Sequence, residues 1–191
     1  MVLSTHQSGD LIRHMDFRFL FLEPQGRLAP RPFARGLVVL TGAFMLITVL
    51  TAVVSPGLGI LQYTLMFPYI CLFGKRLHDA GLSAWLWLAF LSGFGFVNMF
   101  LSAILLPLLS PQAFAIQEEI QKLMQADGFS AAFEALAEQA PEYARLSAVT
   151  TVAALLASSA LVGFAAHRMR SDPKPNRHGP PTSGAATRPS A

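Results

Sequence analysis

The chain has 191 residues, of which 53% are hydrophobic and only 13% charged, against roughly 25% charged residues in an ordinary soluble domain. That excludes a typical soluble enzyme and, at this length, leaves one compact unit with tails rather than two domains. The net charge of +3 is unevenly spread, because nearly all Lys and Arg lie on one side of four uncharged apolar stretches, a distribution suited to the anionic cytoplasmic leaflet.

Residues 1–32 form an N-terminal segment carrying Arg13, Arg18, Arg27 and Arg31. Its first part, residues 1–14, has no apolar periodicity and reads as an extension. The membrane domain is expected over residues 33–166. Its first span, about 33–54, has Arg35 as its only charge and is long enough to cross a hydrocarbon core of about 30 Å. It starts late and is long for a signal sequence, so it reads as a retained anchor. Ser55, Pro56, Gly57 and Gly59 predict a tight turn.

The second span, about 58–74, contains Pro68, which predicts a kink, and Cys71, whose thiol has no second cysteine to pair with. Lys75 and Arg76 follow it directly. The third, about 84–109, is longer than a bilayer requires and holds Gly93 and Gly95, so it is expected to tilt, bend or fold back as a re-entrant pair.

Residues 110–145 carry six acids (Glu118, Glu119, Asp127, Glu134, Glu138, Glu142) against Lys122 and Arg145. Ile116, Ile120, Leu123 and Met124 recur at helical spacing, as do Phe129, Phe133, Leu136 and Ala140. The pattern predicts an amphipathic helical hairpin on the outer face, with starts at Ser110 and Ser130 and an end at Pro141. Its acidity points away from anionic lipid, leaving its apolar stripe to cover the span ends or meet a protein partner.

The fourth span, about 146–166, repeats small residues at Thr150, Ala154 and Ser158. Such spacing lets two backbones approach closely, within the chain or in self-association. Residues 167–191, rich in Pro and Gly, read as a disordered cytoplasmic tail. Because basic short loops stay cytoplasmic, the whole reads as an all-α polytopic membrane protein, four transmembrane helices with an extracytoplasmic hairpin between the third and fourth. Both ends are expected inside.

The densest chemical cluster runs from Lys75 through Arg76, His78, Asp79, Gly81 and Ser83 to Trp85. It resembles the signature of the bacterial membrane family called domain of unknown function 805, the YhaH-like inner-membrane proteins. The run Gly26-Arg27-Leu28-Ala29-Pro30-Arg31-Pro32-Phe33 is similar to that family's approach to its first span, and Asn176-Arg177-His178-Gly179-Pro180 to its closing motif. Ala34, Ala84, Leu86 and His178 depart from the family pattern, and the hairpin with the fourth span looks like an insertion. The resemblance implies a bacterial inner-membrane location and no reaction, because the family has no established one.

His78 beside Asp79 can in principle serve as acid and base. The competing reading is a structural lock, in which Arg76, His78 and Asp79 hold one another, Arg27 or Arg31, and lipid phosphate, while Gly81 and Ser83 turn the chain and cap span three. The lock is favoured, because no span supplies a further carboxylate. One His and one carboxylate fall short of the three or four ligands a metal site uses, so no metal and no cofactor is expected. Trp85 and Trp87, with Phe33, Tyr63 and Tyr69, suit an interfacial belt. Gln62 and Asn98 are the strongest polar side chains well inside the spans.

Two functions follow. The first is a noncatalytic scaffold whose basic face (Arg27, Arg31, Lys75, Arg76, His78) binds anionic headgroups or a protein partner; no base-stacking aromatics interleave with these residues, which disfavours nucleic acid. The second is a transporter or lipid-handling subunit for a neutral or lipidic substrate, with Gln62, Asn98 and the Gly93 break lining a path. A membrane enzyme using His78 and Asp79 ranks third.

Overall fold

A computed structural model describes residues 17–182, so the extension expected at residues 1–14 lies outside the described residues. A short helix, α1 (Phe17–Phe21), precedes α2 (Pro30–Val53). Pro30 sits in the first turn of α2, where the N–H it lacks would have no helical partner anyway. Phe33, Gly36 and Leu40 then recur on one face and are buried. Phe33 and Leu40 join Leu20, Phe21, Leu28, Leu72, Phe73 and Ala166 in the core.

The second span departs from the expected outline at both ends. Residues Pro56–Leu65 form a 3-10 helix, and the α-helix α3 (Met66–Asp79) begins only at Met66 and continues past Gly74. Pro68 therefore falls in the first turn of α3, where it demands no kink.

A 3-10 turn at Ala84–Leu86 leads into α4 (Trp87–Leu109). The third span is one uninterrupted helical stretch, so the re-entrant alternative is set aside. Gly93 and Gly95 stay helical, with nothing within 4 Å of where a Cβ would stand. Leu106 is the only buried residue of α4, and its outer face shows Phe96, Met99, Phe100 and Leu108. A helix apolar all round suits hydrocarbon as its solvent.

The hairpin is present, but its second arm is not a separate helix. After α5 (Pro111–Ala126), α6 (Gly128–Arg168) runs through 41 residues and merges that arm with the fourth span. Pro141, expected to end a helix, lies inside it. Proline forfeits one intrahelical hydrogen bond, a cost of about 3 kcal/mol, which the alanine-rich flanks and packing against α5 offset. At 1.5 Å per residue α6 is about 61 Å long, roughly twice the hydrocarbon thickness. Its N-terminal part therefore projects beyond the membrane beside α5.

The molecule is thus a polytopic all-α protein, with four helical stretches long and apolar enough to span a membrane: Pro30–Val53, Pro56–Asp79, Ala84–Leu109 and Gly128–Arg168. Helix α6 is the organising element and packs on α2, α4 and α5. Its small-residue stripe, Thr150, Ala154 and Ser158, is buried within the chain. Gly163 lies so close to α2 that an added Cβ would run into Leu37 Cδ2. Ser110 caps nothing with its side chain; its hydroxyl instead shares a hydrogen bond of 2.8 Å with Thr150. Ser130 lies within α6 rather than at its start.

The tail is the largest departure. Of the stretch 167–191 expected to be disordered, residues 169–182 follow a defined path across one end of the bundle, and 183–191 lie outside the described residues. Asn176 and Gly179 bond each other through both backbone groups, and most of the stretch is fastened by the side chains described next.

Candidate functional site

Three segments far apart in the sequence meet at one end of the bundle. The Gly26–Arg27 loop comes before α2, the last turn of α3 supplies Lys75 to Asp79, and the tail supplies residues 171–182. At their centre is Asp79, which is fully buried. Its Oδ2 accepts from Arg76 Nη1 at 2.6 Å and from Ser171 Oγ at 2.5 Å. Its Oδ1 accepts from Arg27 Nε at 3.3 Å and from the Thr182 hydroxyl. Two guanidinium groups thus face one carboxylate, and a buried charge holds its place only when paired and hydrogen-bonded in this way.

The remaining guanidinium donors tie down backbone. Arg27 Nη2 donates to the carbonyls of Asp79 at 3.1 Å and Asp172 at 2.5 Å, and its Nη1 to Lys174 at 2.8 Å. Arg76 Nε donates to the Ala166 carbonyl at 3.1 Å, and its Nη2 to those of His167 at 3.2 Å and Met169. These carbonyls belong to the C-terminal end of α6 and the segment after it, where helical carbonyls lack partners and positive charge is favoured. The planar five-donor fork of arginine serves several such acceptors at once.

His78 Nδ1 donates to the Gly26 carbonyl at 3.1 Å, and its ring stacks on His178 with centroids 3.5 Å apart and planes 8° from parallel. The His178 ring thus packs as a flat aromatic surface against His78. Burial, then the nearby His78, Arg177 and Arg27, hold the His178 imidazole below its ordinary value. The Asn176 side-chain amide donates to the His78 carbonyl at 3.1 Å. The Lys174 N–H bonds the Asp172 carboxylate at 3.0 Å and holds its pKa below the usual carboxylate value. Gly81 takes φ +74°, a backbone state that L side chains rarely adopt, and a Cβ there would stand 3.2 Å from Asp172.

Of the residues singled out from sequence, Gly26, Arg27, Arg76, His78 and Asp79 converge. Arg31 does not; it is exposed and is not a partner of Asp79. Phe33 is no belt residue, because it is wholly buried and edge-to-face with Phe73 at 5.1 Å. Ser83 precedes the 3-10 turn but makes no side-chain cap, whereas Gly81 does turn the chain. Trp85 is 75% exposed at the bundle surface, as a belt residue would be. Gln62 and Asn98 have separate partners: Gln62 donates to Thr48 Oγ1 at 3.3 Å, and Asn98 Oδ1 accepts from the Ser158 hydroxyl at 3.5 Å.

Lys75, expected from sequence on the basic face that meets headgroups, is instead inside this architecture. Its side chain is fully buried, with the ammonium over the Phe19 ring and donating to the carbonyls of Phe19, Leu20 and Glu23, the last two at 3.1 and 2.6 Å. It thereby fastens α1 to α3. The sequence reading missed Ser171 and Thr182; both sit in tail text whose composition carries no packing signal. No group of three or more His, Cys, Asp or Glu able to hold a metal occurs among the described residues. Comparison with known proteins yields no match: no family model, no curated protein and no solved structure matches the chain.

Proposed function

We propose that the protein is a noncatalytic scaffold of the bacterial inner (plasma) membrane, with both ends cytoplasmic, whose basic face gathers anionic lipid headgroups. The resemblance to the domain of unknown function 805 family supports the location and adds no reaction. In this reading the lock is the frame of the face and not its binding surface. The observation that carries it is that the polar groups of Arg27, Arg76, His78 and Asp79 are engaged by the chain itself. The bases left to meet lipid are Arg31, Arg35, Arg168, Arg170, Lys174 and Arg177, all exposed around the same end.

A basic residue near an anionic leaflet contributes about 1 kcal/mol, so such a set is strong enough to bias the surrounding lipid and is screened within a Debye length by salt. The chain has two tryptophans, Trp85 and Trp87, both at the junction beside the lock. Their quenching by brominated lipid in mixed bilayers reads the local lipid composition. Brominated phosphatidylglycerol should quench more than brominated phosphatidylcholine at low salt. Replacing Arg168, Arg170, Lys174 and Arg177 together by Gln should clearly shrink the difference, leaving only the share of Arg31 and Arg35. Equal quenching by the two lipids in the unmodified protein at low salt would overturn the proposal.

A further inference from the structure

Between the spans lies a cavity of about 250 Å³ that the lock does not use. Its floor is made by Phe73 and Ser159, both buried. Its mouth is made by Tyr63 and Met66 of the second span and Leu91 of α4, all exposed on the outer surface of the bundle. The opening is therefore lateral, between the start of α3 and the first two turns of α4, where a spanning bundle is surrounded by hydrocarbon.

We propose that this cavity is a binding site for one acyl chain of a bilayer phospholipid. Shape is the first argument. The lining runs from Leu37 to Phe44 on α2 and from Trp87 to Phe94 on α4, each pair seven residues apart and so about 10 Å along the helix axis. The slot is thus elongated along the bundle, the direction in which lipid chains run. Size is the second: it exceeds an apolar cavity of about 150 Å³ that takes benzene and falls below the roughly 300 Å³ where sites for drug-sized ligands begin. It suits a chain segment rather than a whole lipid.

Chemistry is the third argument. The walls are overwhelmingly carbon, and the one amide among them, that of Gln62, is turned to Thr48 at 3.3 Å. The other polar side chains of the lining, Tyr63, Tyr69, Trp87 and Ser159, are scattered among the carbon rather than gathered into one polar patch in the slot. An empty slot would forfeit dispersion contacts along its length, whereas a chain entering from the side supplies them without desolvating any charge. The proposal is independent of the basic face, because it concerns the chain of the lipid and not its headgroup.

The test uses the full chain in nanodiscs of zwitterionic phosphatidylcholine, doped with an analogue carrying a diazirine midway along one acyl chain. After irradiation, adducts are mapped by peptide mass spectrometry. Adducts should concentrate on Phe44, Ile70, Phe90 and Phe94, about tenfold over the outward-facing Val38, Leu46 and Leu108. Leu91→Trp at the mouth and Ile70→Trp within the slot should each bring the other cavity positions down to the outer-face level while leaving outer-face labelling unchanged. Labelling spread evenly over inner and outer positions, or unchanged in folded filling variants, would overturn the proposal. If a filling variant fails to fold, the map of the unmodified protein decides alone. The neutral headgroup keeps either result separate from the test of the basic face.

Discussion

Asp79 holds two arginines, so removing it leaves two buried cations facing each other. Asp79→Ala should cost about 3–5 kcal/mol of stability, the range for breaking a buried ion pair, measured by unfolding in mixed micelles. Arg76→Ala should cost a similar amount, and the double variant clearly less than the sum, because contacting partners couple. Arg31→Ala, at an exposed position outside the lock, should stay within about 0.5 kcal/mol. Equal costs for Arg31 and Arg76 would refute the assignment. The second residue-level prediction concerns pH. His178 has its pKa lowered from the ordinary 6.5 in the folded chain, first by burial and then by neighbouring positive charge. The folded form thus binds this proton less readily than the unfolded one, so the stability it contributes is fully present above about 6.5 and is lost as pH falls below that value. Protection of the tail from protease should decline between about pH 7 and pH 5, and His178→Phe, which keeps a ring against His78, should flatten the decline. Much of the lock was legible in the spacing of Arg76, His78 and Asp79 beside the Gly26–Arg27 motif. Lys75 was not, because a lysine after an apolar run reads as a surface charge until the carbonyls of Phe19, Leu20 and Glu23 are brought round it by α1. That encounter is a tertiary event which no local pattern records.

Helix α6 shows what periodicity can and cannot decide. Its membrane half was visible as an uncharged run, and its outer half as an amphipathic repeat. That the two form one helix was hidden by Pro141, because a proline usually marks an end and only the packing of α5 alongside tells otherwise. The 3-10 stretch Pro56–Leu65 was equally hidden, since it keeps the apolar composition of a span while tightening its backbone. The small residues of α6 were legible as a close-approach face, and their partner is within the chain. This leads to an element-scale prediction. Gly163→Ala places a methyl group against the tip of Leu37 of α2, which must turn away to admit it; the displaced packing costs about 1 kcal/mol or more, which cancels the helix-propensity gain that alanine brings. Gly93→Ala on α4, where no atom lies within 4 Å of the new methyl group, should be neutral or slightly stabilising, since alanine favours a helix by about 1 kcal/mol over glycine. Melting both variants in the same detergent compares them directly. A larger loss for Gly93→Ala would mean that α2 and α6 are not the tightest pair.

At the scale of the whole molecule, the lock joins the segment before the first span, the junction after the second and the segment after the fourth. These three pieces can meet only if they lie at the same end of the bundle, which an even number of spans provides. Membership of one end was legible from the positive charges. That the tail is part of the structure was not, because its Pro- and Gly-rich text has little apolar area to bury. Its docking rests instead on hydrogen bonds from Arg27 to the carbonyls of Asp172, Lys174 and Gly179, and a backbone carbonyl has no residue letter. Deleting residues 171–191 therefore removes partners that composition would not have ranked. Arg27 keeps the Asp79 carboxylate and carbonyl but loses its three tail carbonyls, while Asp79 loses the hydroxyls of Ser171 and Thr182. Each buried polar group left without a partner costs about 1–3 kcal/mol, so the truncated chain should unfold at clearly lower denaturant and its α1–α2 loop should become open to protease. Reporter fusions after Arg31, within residues 112–140 and after Arg177 complete the test, with inside, outside and inside as the expected pattern. A truncated chain with full stability would show that the tail rests on the lock without supporting it, and a hairpin reported inside would break the shared-end geometry altogether.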